Sequence, residues 1–270
     1  MDLPAAPPIA QLPVPAQECS ASALAEVLAQ AILSGHWQPG DTFPREIDLC
    51  AHFSASRNKV RNALAELSTA GLIERVAGRG TLVKDIIDWH LLAPQMSAWM
   101  TGLDSPHPSL MKAVFTFRLS AEPYISELAA LNATAEDLAR IEAAFIGMRD
   151  SAGVENLRQK HIEHDVAFHD AIYRASHHLV WRQMGLLLKP SIVALIQSAQ
   201  HHTQDLSDSL ERHQQLLEAI RLRQPAQARH ATECLLERTA MDLEIDHNAP
   251  LPAVTLRAPS RPSQDSTRGH

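Results

Sequence analysis

"SRNKVRNALAELSTAGLIERVAGRGTLV", residues 56–83, changes its periodicity halfway. Val60, Leu64 and Leu67 recur at helical spacing. Ser56, Arg57, Asn58, Lys59, Arg61 and Asn62 crowd the first turns, with no acid before Glu66. After Gly71 the helical pattern stops. "LIERV", the turn "AGRG" and "TLV" read as a β-hairpin, with Gly78 and Gly80 permitting a tight tip around Arg79. A basic-tipped helix running straight into a hairpin with an arginine at its end decides the fold of the N-terminal part.

Upstream, Leu24, Val27, Leu28 and Ile32 make a helical stripe over Ala23–Leu33, which Ser20 or Ser22 can cap. Gly35 stops it, and "HWQPGD" is a turn. A second short helix follows Pro44, with Ile47 and Leu49 expected to face inward. Helix, turn, helix, basic helix and hairpin make a winged helix-turn-helix over 19–84. The recognition helix would offer its first turns to base edges in a major groove, and the wing would lay Arg79 in the neighbouring minor groove. Taken alone, the helix reads equally as an amphipathic helix with a solvated basic face; the order of elements favours the groove.

The net charge of −7 does not oppose this, because the basic charge is local. Residues 55–84 hold six Lys/Arg against two acids, whereas 85–270 hold 17 against 23. That is a small DNA-binding module on an acidic body.

Residues 85–108 read as a linker containing a short helix or two. From 109 to 245 the pattern is helical, over about 109–131, 134–151, 155–176, 179–201, 206–223 and 225–244, broken at "NAT", "SAG", "SHH", "HHTQD" and "RQP". Short connections between medium helices predict an all-α antiparallel bundle, so the chain is mainly α. Prolines concentrate in the first 15 residues and after 249, and 1–18 and 246–270 are expected to be disordered tails. Three cysteines, Cys19, Cys50 and Cys234, at long spacings argue against a disulfide framework. No run approaches the ~20 apolar residues of a membrane span, the best one, "MGLLLKPSIVALI", being broken by Lys189 and Pro190. The expectation is a cytoplasmic protein with no membrane partner.

Which polar residues fall on apolar helix faces decides the site. At about 100° per residue, Asp165, Val166, His169, Ile172 and Tyr173 share the face of Ile162, while Glu163, His164, Asp170 and Arg174 point away to solvent. His213 lies within the arc of Leu206, Leu210, Leu216, Leu217 and Ile220. Arg118 is bracketed by Val114, Phe115, Ala121 and Ile125, and a buried arginine needs a partner. One inward histidine is ordinarily a core residue satisfied by hydrogen bonds. Two, with an aspartate four residues from one of them and an arginine on a third helix, are the way bundles build metal sites. Imidazole plus carboxylate suits Zn, Ni, Mn or Fe.

Two sets of runs resemble a known family. "ILSGHWQPGDTFP" with residues 56–83 is similar to the N-terminal domain of GntR-type transcription regulators. "FRLSAEPYISELAALNATAEDLARIE", "DVAFHDAIYRASHH" and "ERHQQLLEAIRLRQPAQARHA" resemble the FCD ligand-binding domain of the FadR branch, with sugar-acid (galactonate-type) repressors looking nearest. The resemblance implies a homodimer on a palindromic double-stranded operator, contacted by Ser56, Arg57, Asn58 and Arg61 and by Arg79 with Gly80. Members carry a further DNA-contacting arginine in an "S-E-R-E-L" run; here it reads "PREIDL", with Ile47 at that place and Arg45 as the candidate substitute.

For the bundle the resemblance implies a divalent metal, Zn foremost with Ni or Mn as alternatives, on Asp165, His169 and His213. It also implies a small carboxylate effector on Arg118. The usual fourth ligand is a histidine where this chain has Leu235, and Cys234 points about 100° away from it on a helix. Water or the effector would then complete the shell; otherwise the metal binds weakly, or Asp165, His169 and His213 bind the effector directly. An effector-controlled repressor is the leading expectation. The alternatives are a metal-dependent hydrolase with a DNA-binding arm, suggested by the His164–Asp165 pair, and a repressor that senses the metal itself.

Overall fold

A computed structural model describes residues 9–13, 20–101, 103, 105–202 and 206–243. Cys19 and the C-terminal stretch 246–270 lie outside the described residues, as does most of 1–18. Within 9–13, Ile9–Gln11 form a 3-10 turn and Leu12 is buried. Leu12 thus packs against the core of the winged module, a contact that an isolated Leu in Pro-rich sequence gives no periodicity to reveal.

Ser20 accepts from the Ala23 amide and caps α1 (Ala21–Leu33), which buries Leu24, Leu28 and Ile32 as its spacing requires. Then come α2 (Glu46–His52) and α3 (Arg57–Thr69), capped by Ser56. The wing is β1 (Ile73–Val76) paired antiparallel with β2 (Gly80–Val83), Ile73 opposite Val83 and Val76 opposite Gly80. Gly78 and Gly80 both have positive φ, 76° and 84°, the geometry the tight tip needs.

The bundle is α5 (Pro108–Asn132), α6 (Ala135–Ser151), α7 (Arg158–Ala175), α8 (Leu179–His202), α9 (Ser207–Arg221) and α10 (Pro225–Asp242). α6 packs on α7, α10 on α5 and α9, and α7 on α8. Between the modules, α4 (Pro94–Met100) buries Met96, Trp99 and Met100. One continuous core runs from Leu28, Trp37 and Leu67 through Trp89 and Trp99 to Leu110, Phe115 and Leu236. Residues 85–108 are thus packed, not slack: His107 donates its amide to Leu33 O (2.6 Å), and its ring meets Gln38 Oε1 (3.0 Å).

α8 runs through Pro190, as the helix expected over about 179–201 requires. Its stretch Leu179–Gln197 is long and apolar enough, by length and composition, to cross a membrane. Leu188, Ser191, Ile192, Ala194, Leu195 and Ile196 are buried in the bundle, while Leu179, Val180 and Leu186 are exposed.

The end of the bundle where α6 begins and α7 finishes carries a checkable electrostatic anchor. Asp137 and Thr134 form a capping box at the start of α6, and Asp137 Oδ2 also stands 2.7 Å from Nε2 of His177, which holds a left-handed turn after α7. Burial pushes the Asp137 carboxyl up, but the Thr134 hydrogen bonds and His177 outweigh it and hold it at about 2, below its ordinary 3.8. A depressed carboxylate stabilises the fold above its unfolded pKa. Its contribution is therefore complete above about pH 5 and is lost as pH falls from about 4 through 2. Asp137→Ala is expected to cost about 2 kcal/mol in urea unfolding at pH 7, the linkage value of its depressed carboxyl, with the gap to wild type narrowing below pH 3. An unchanged gap at pH 3 would contradict the assignment.

Candidate functional site

The first site is the outer face of α2, α3 and the wing. Ser56, Arg57, Asn58, Lys59, Arg61 and Asn62 are all exposed, as are Arg79 and Gly80 at the tip. Helix and hairpin border a groove of about 780 Å³ into which Arg45, Arg57, Arg61, Arg75 and Arg79 contribute. Arg45 is engaged by Asp48 at 2.8 and 3.0 Å, and Arg61 lies 3.7 Å from Glu46. Such exposed pairs are worth about 0–1 kcal/mol and yield readily to a phosphate.

Two features of this face were not read from the sequence. Arg75 belongs to it, although strand alternation would set it on the face of buried Ile73; in this short strand Glu74 and Arg75 are both exposed. Ile47 was expected to point inward with Leu49. Only Leu49 does; Ile47 is 61% exposed and lines the groove. The seven-residue α2 buries a single position, too few for periodicity to orient its neighbours.

The second site lies inside the bundle, where α5, α7 and α9 bring together Arg118, Asp165, His169 and His213. All four are buried. Asp165 Oδ1 is 3.5 Å from His169 Nε2 and 3.6 Å from His213 Nε2. The Nδ1 of His213 meets Ser209 O at 2.7 Å, and the Nδ1 of His169 lies 3.3 Å from Glu122 Oε2. Each ring is thus held by one nitrogen and turns the other towards Asp165. Asp165 Oδ1 and His213 Nε2 are buried with no hydrogen-bond partner.

The partner that Arg118 needs is Glu122, one turn along α5. Its Oε1 accepts from Arg118 Nε at 2.7 Å and its Oε2 from Nη2 at 3.2 Å, and Tyr173 donates to Oε1 at 3.3 Å. Burial drives the Glu122 carboxyl up, but Arg118 and His169 more than offset it, leaving it at about 2. Burial likewise drives Asp165 up, and His213, His169 and Arg118 bring it to about 2. Burial opposes the charge on Arg118, which Glu122 raises above its ordinary value. Sequence reading passed over Glu122, although its i, i+4 spacing from Arg118 was the signal.

The remaining residues of interest sit apart. Leu235, at the place of a fourth ligand, is buried in the core, and Cys234 Sγ faces His230 Nε2 at 3.6 Å. His164 and Asp170, expected to be solvated, are half-buried. A Cβ on Gly147 of α6 would stand 2.3 Å from His164 Nδ1, so the missing side chain is what admits that ring. Asp170 pairs with Arg182 at 2.7 Å. His161, not singled out before, is buried against Met148 O at 2.9 Å.

The chain compares closely with known proteins over both parts. Residues 20–83 match the bacterial regulatory proteins of the gntR family, and residues 113–238 match the FCD domain. The galactonate operon transcriptional repressor of Escherichia coli (strain K12) is 29% identical over 195 residues, covering 72% of this chain and 83% of the repressor. The uncharacterized HTH-type transcriptional regulator YieP of the same strain is 31% identical over 220 residues, covering 77% of this chain and 91% of YieP. The Glc operon transcriptional activator, also of that strain, is 27% identical over 83% of this chain and 89% of its own length. In fold the chain is similar to Lar of Listeria monocytogenes, with a TM-score of 0.56 and 13% identity over 84% of this chain and 97% of Lar. With the wing, the basic recognition helix and the bundle all in place, this chain belongs to the GntR family of bacterial transcription regulators, in its FadR-type form with a C-terminal FCD domain, and is not an enzyme.

Proposed function

We propose that the protein is a homodimeric repressor that releases a palindromic operator when a small carboxylate enters the bundle. The carboxylate would lie between Arg118 and a divalent metal on Asp165, His169 and His213. The observation that carries this is that two buried atoms of the site, Asp165 Oδ1 and His213 Nε2, lack a hydrogen-bond partner and stand only 3.6 Å apart. A buried polar atom without a partner is costly, and an ion shared with His169 satisfies both at once.

The donor set fits such an ion. Ligands of a tetrahedral zinc at about 2.1 Å stand roughly 3.4 Å from one another, close to the 3.5 and 3.6 Å from Asp165 Oδ1 to the two imidazoles. All three ligand atoms lie within 4.8 Å of one another. Ser209 O and Glu122 supply the outer contacts that fix the tautomer of each ring. When bound, the ion would act as a Lewis acid toward a carboxylate oxygen. The rest is done by the chain: Asp165 brings the counter-charge, and Arg118 directs its guanidinium into the same space. Leu235 leaves the remaining position of the shell to water or effector.

The DNA side rests on the exposed arginines of the groove, with Arg57 and Asn58 at base edges, Arg61 and Ser56 at phosphates, and Arg79 with Gly80 in the minor groove. A duplex selected from a random pool by the wild-type protein provides the test. Arg57→Ala is expected to weaken its binding about tenfold or more in a gel shift. Carboxylates are expected to release it only while the metal is present. Release by zinc alone would make the metal the signal, and release that ignores chelator would leave Asp165, His169 and His213 as direct effector contacts.

A further inference from the structure

We infer that Glu122 sets the charge of the buried site so that it accepts an effector with one carboxylate in preference to one with two. The inference rests on the metal-and-carboxylate reading above and adds to it the class of acid.

The starting point is that Arg118 is not an empty anion receptor. Its Nε–Nη2 edge is already taken by Glu122, through Nε at 2.7 Å and Nη2 at 3.2 Å, which leaves Nη1 for an incoming carboxylate, and both residues are buried, at 1% and 3% exposure. Tyr173 donates a further bond to the same carboxylate at 3.3 Å, and His169 Nδ1 lies 3.3 Å from its other oxygen. Glu122 is therefore held as an anion inside the site, and its charge belongs in any count.

Within the cluster Arg118 carries one positive charge, while Glu122 and Asp165 carry one negative charge each. Imidazoles that ligate a metal are neutral. Burial and Glu122 push the Tyr173 hydroxyl well above its ordinary range, and burial pushes the neighbouring His161 down, so neither adds charge near neutral pH. The protein groups sum to one negative charge, and a divalent ion turns this into one positive charge. Uncompensated charge is costly in a buried site. One carboxylate balances it; two overshoot. A site with Arg118 and the metal but without Glu122 would carry two positive charges and favour a dianion.

The test uses the full chain loaded with zinc and matched acids that differ by one carboxylate: galactonate with galactarate, gluconate with glucarate, and glycolate with tartronate. Binding is read by calorimetry and by thermal shift. Wild type is expected to bind the monoacid of a pair at least tenfold more tightly than the diacid. Glu122→Gln keeps size and an acceptor for Arg118 while removing one negative charge, and should cut that ratio at least tenfold or reverse it. The double variant Arg118→Gln, Glu122→Gln restores the original net charge, so the monoacid preference should return even as both affinities fall. A wild type that prefers the diacid, or a Glu122→Gln ratio within threefold of wild type, overturns the charge assignment alone. Zinc raising Tm while all six acids leave the protein unchanged overturns the effector reading and this inference with it. Zinc without effect on Tm overturns the metal reading.

Discussion

Replacing His213 with alanine is expected to abolish most of the rise in Tm that zinc gives the wild-type chain. A ligand that binds only the folded state, at a free concentration about 1,000 times its Kd, stabilises by about 4 kcal/mol. For a protein of this size that is a rise of roughly 8–16 °C. His213 is the ligand whose loss should cost most. Among the three ligands it is the sole contribution of α9, its Nδ1 is fixed by Ser209 O at 2.7 Å, and its Nε2 is one of this site's two unpartnered buried atoms. The variant keeps Asp165 and His169, which lie on one helix and do not close a shell. Operator affinity without effector should be unchanged, since every exposed arginine of the groove lies on the winged module. The same zinc-induced rise in Tm in wild type and variant would remove the proposed metal centre.

Arg118→Ala is expected to destabilise the metal-free protein by about 3–5 kcal/mol, because it leaves Glu122 buried and uncompensated. Removing the pair together should cost far less than the sum of its halves. Arg118→Met with Glu122→Met exchanges an ion pair for apolar side chains that fit a long-chain space, a swap that is often neutral or stabilising. Urea unfolding of the wild type, both single variants and the double variant closes a double-mutant cycle. A coupling below about 1 kcal/mol would mean that the two groups do not depend on each other for burial.

Much of the fold could be read before any coordinates, and the reasons are local. The bundle helices announce themselves through apolar periodicity and through breaks at "NAT", "SAG" and "RQP", so α5 and α10 fall within two residues of their expected ends. Asp165 and His169 were placed inward by helical rotation alone, and both are buried. What the sequence hid depends on neighbours distant in the chain. His164 is sheltered because Gly147 on another helix leaves room for it. Ile47 was misplaced because a helix of seven residues has too few turns to show a face. Glu122 was overlooked because an acid beside apolar residues looks like a surface position until its arginine is known to be buried.

The packed region between the modules has a consequence for how such regulators can be recombined. α5 begins beside His107, which is bonded to the end of α1, passes through the shared core at Leu110 and Phe115, and brings Arg118 to about 16 Å from that foot. α5 is thereby seated at both ends, with its foot against Leu33 and Gln38 and Arg118 in the buried cluster. The two modules of this chain are not blocks on a slack stalk. A chimera cut at residue 84 separates Trp89, Trp99 and Leu110 from the core they share with Leu28, Trp37 and Leu67, and is expected to lose stability in both halves.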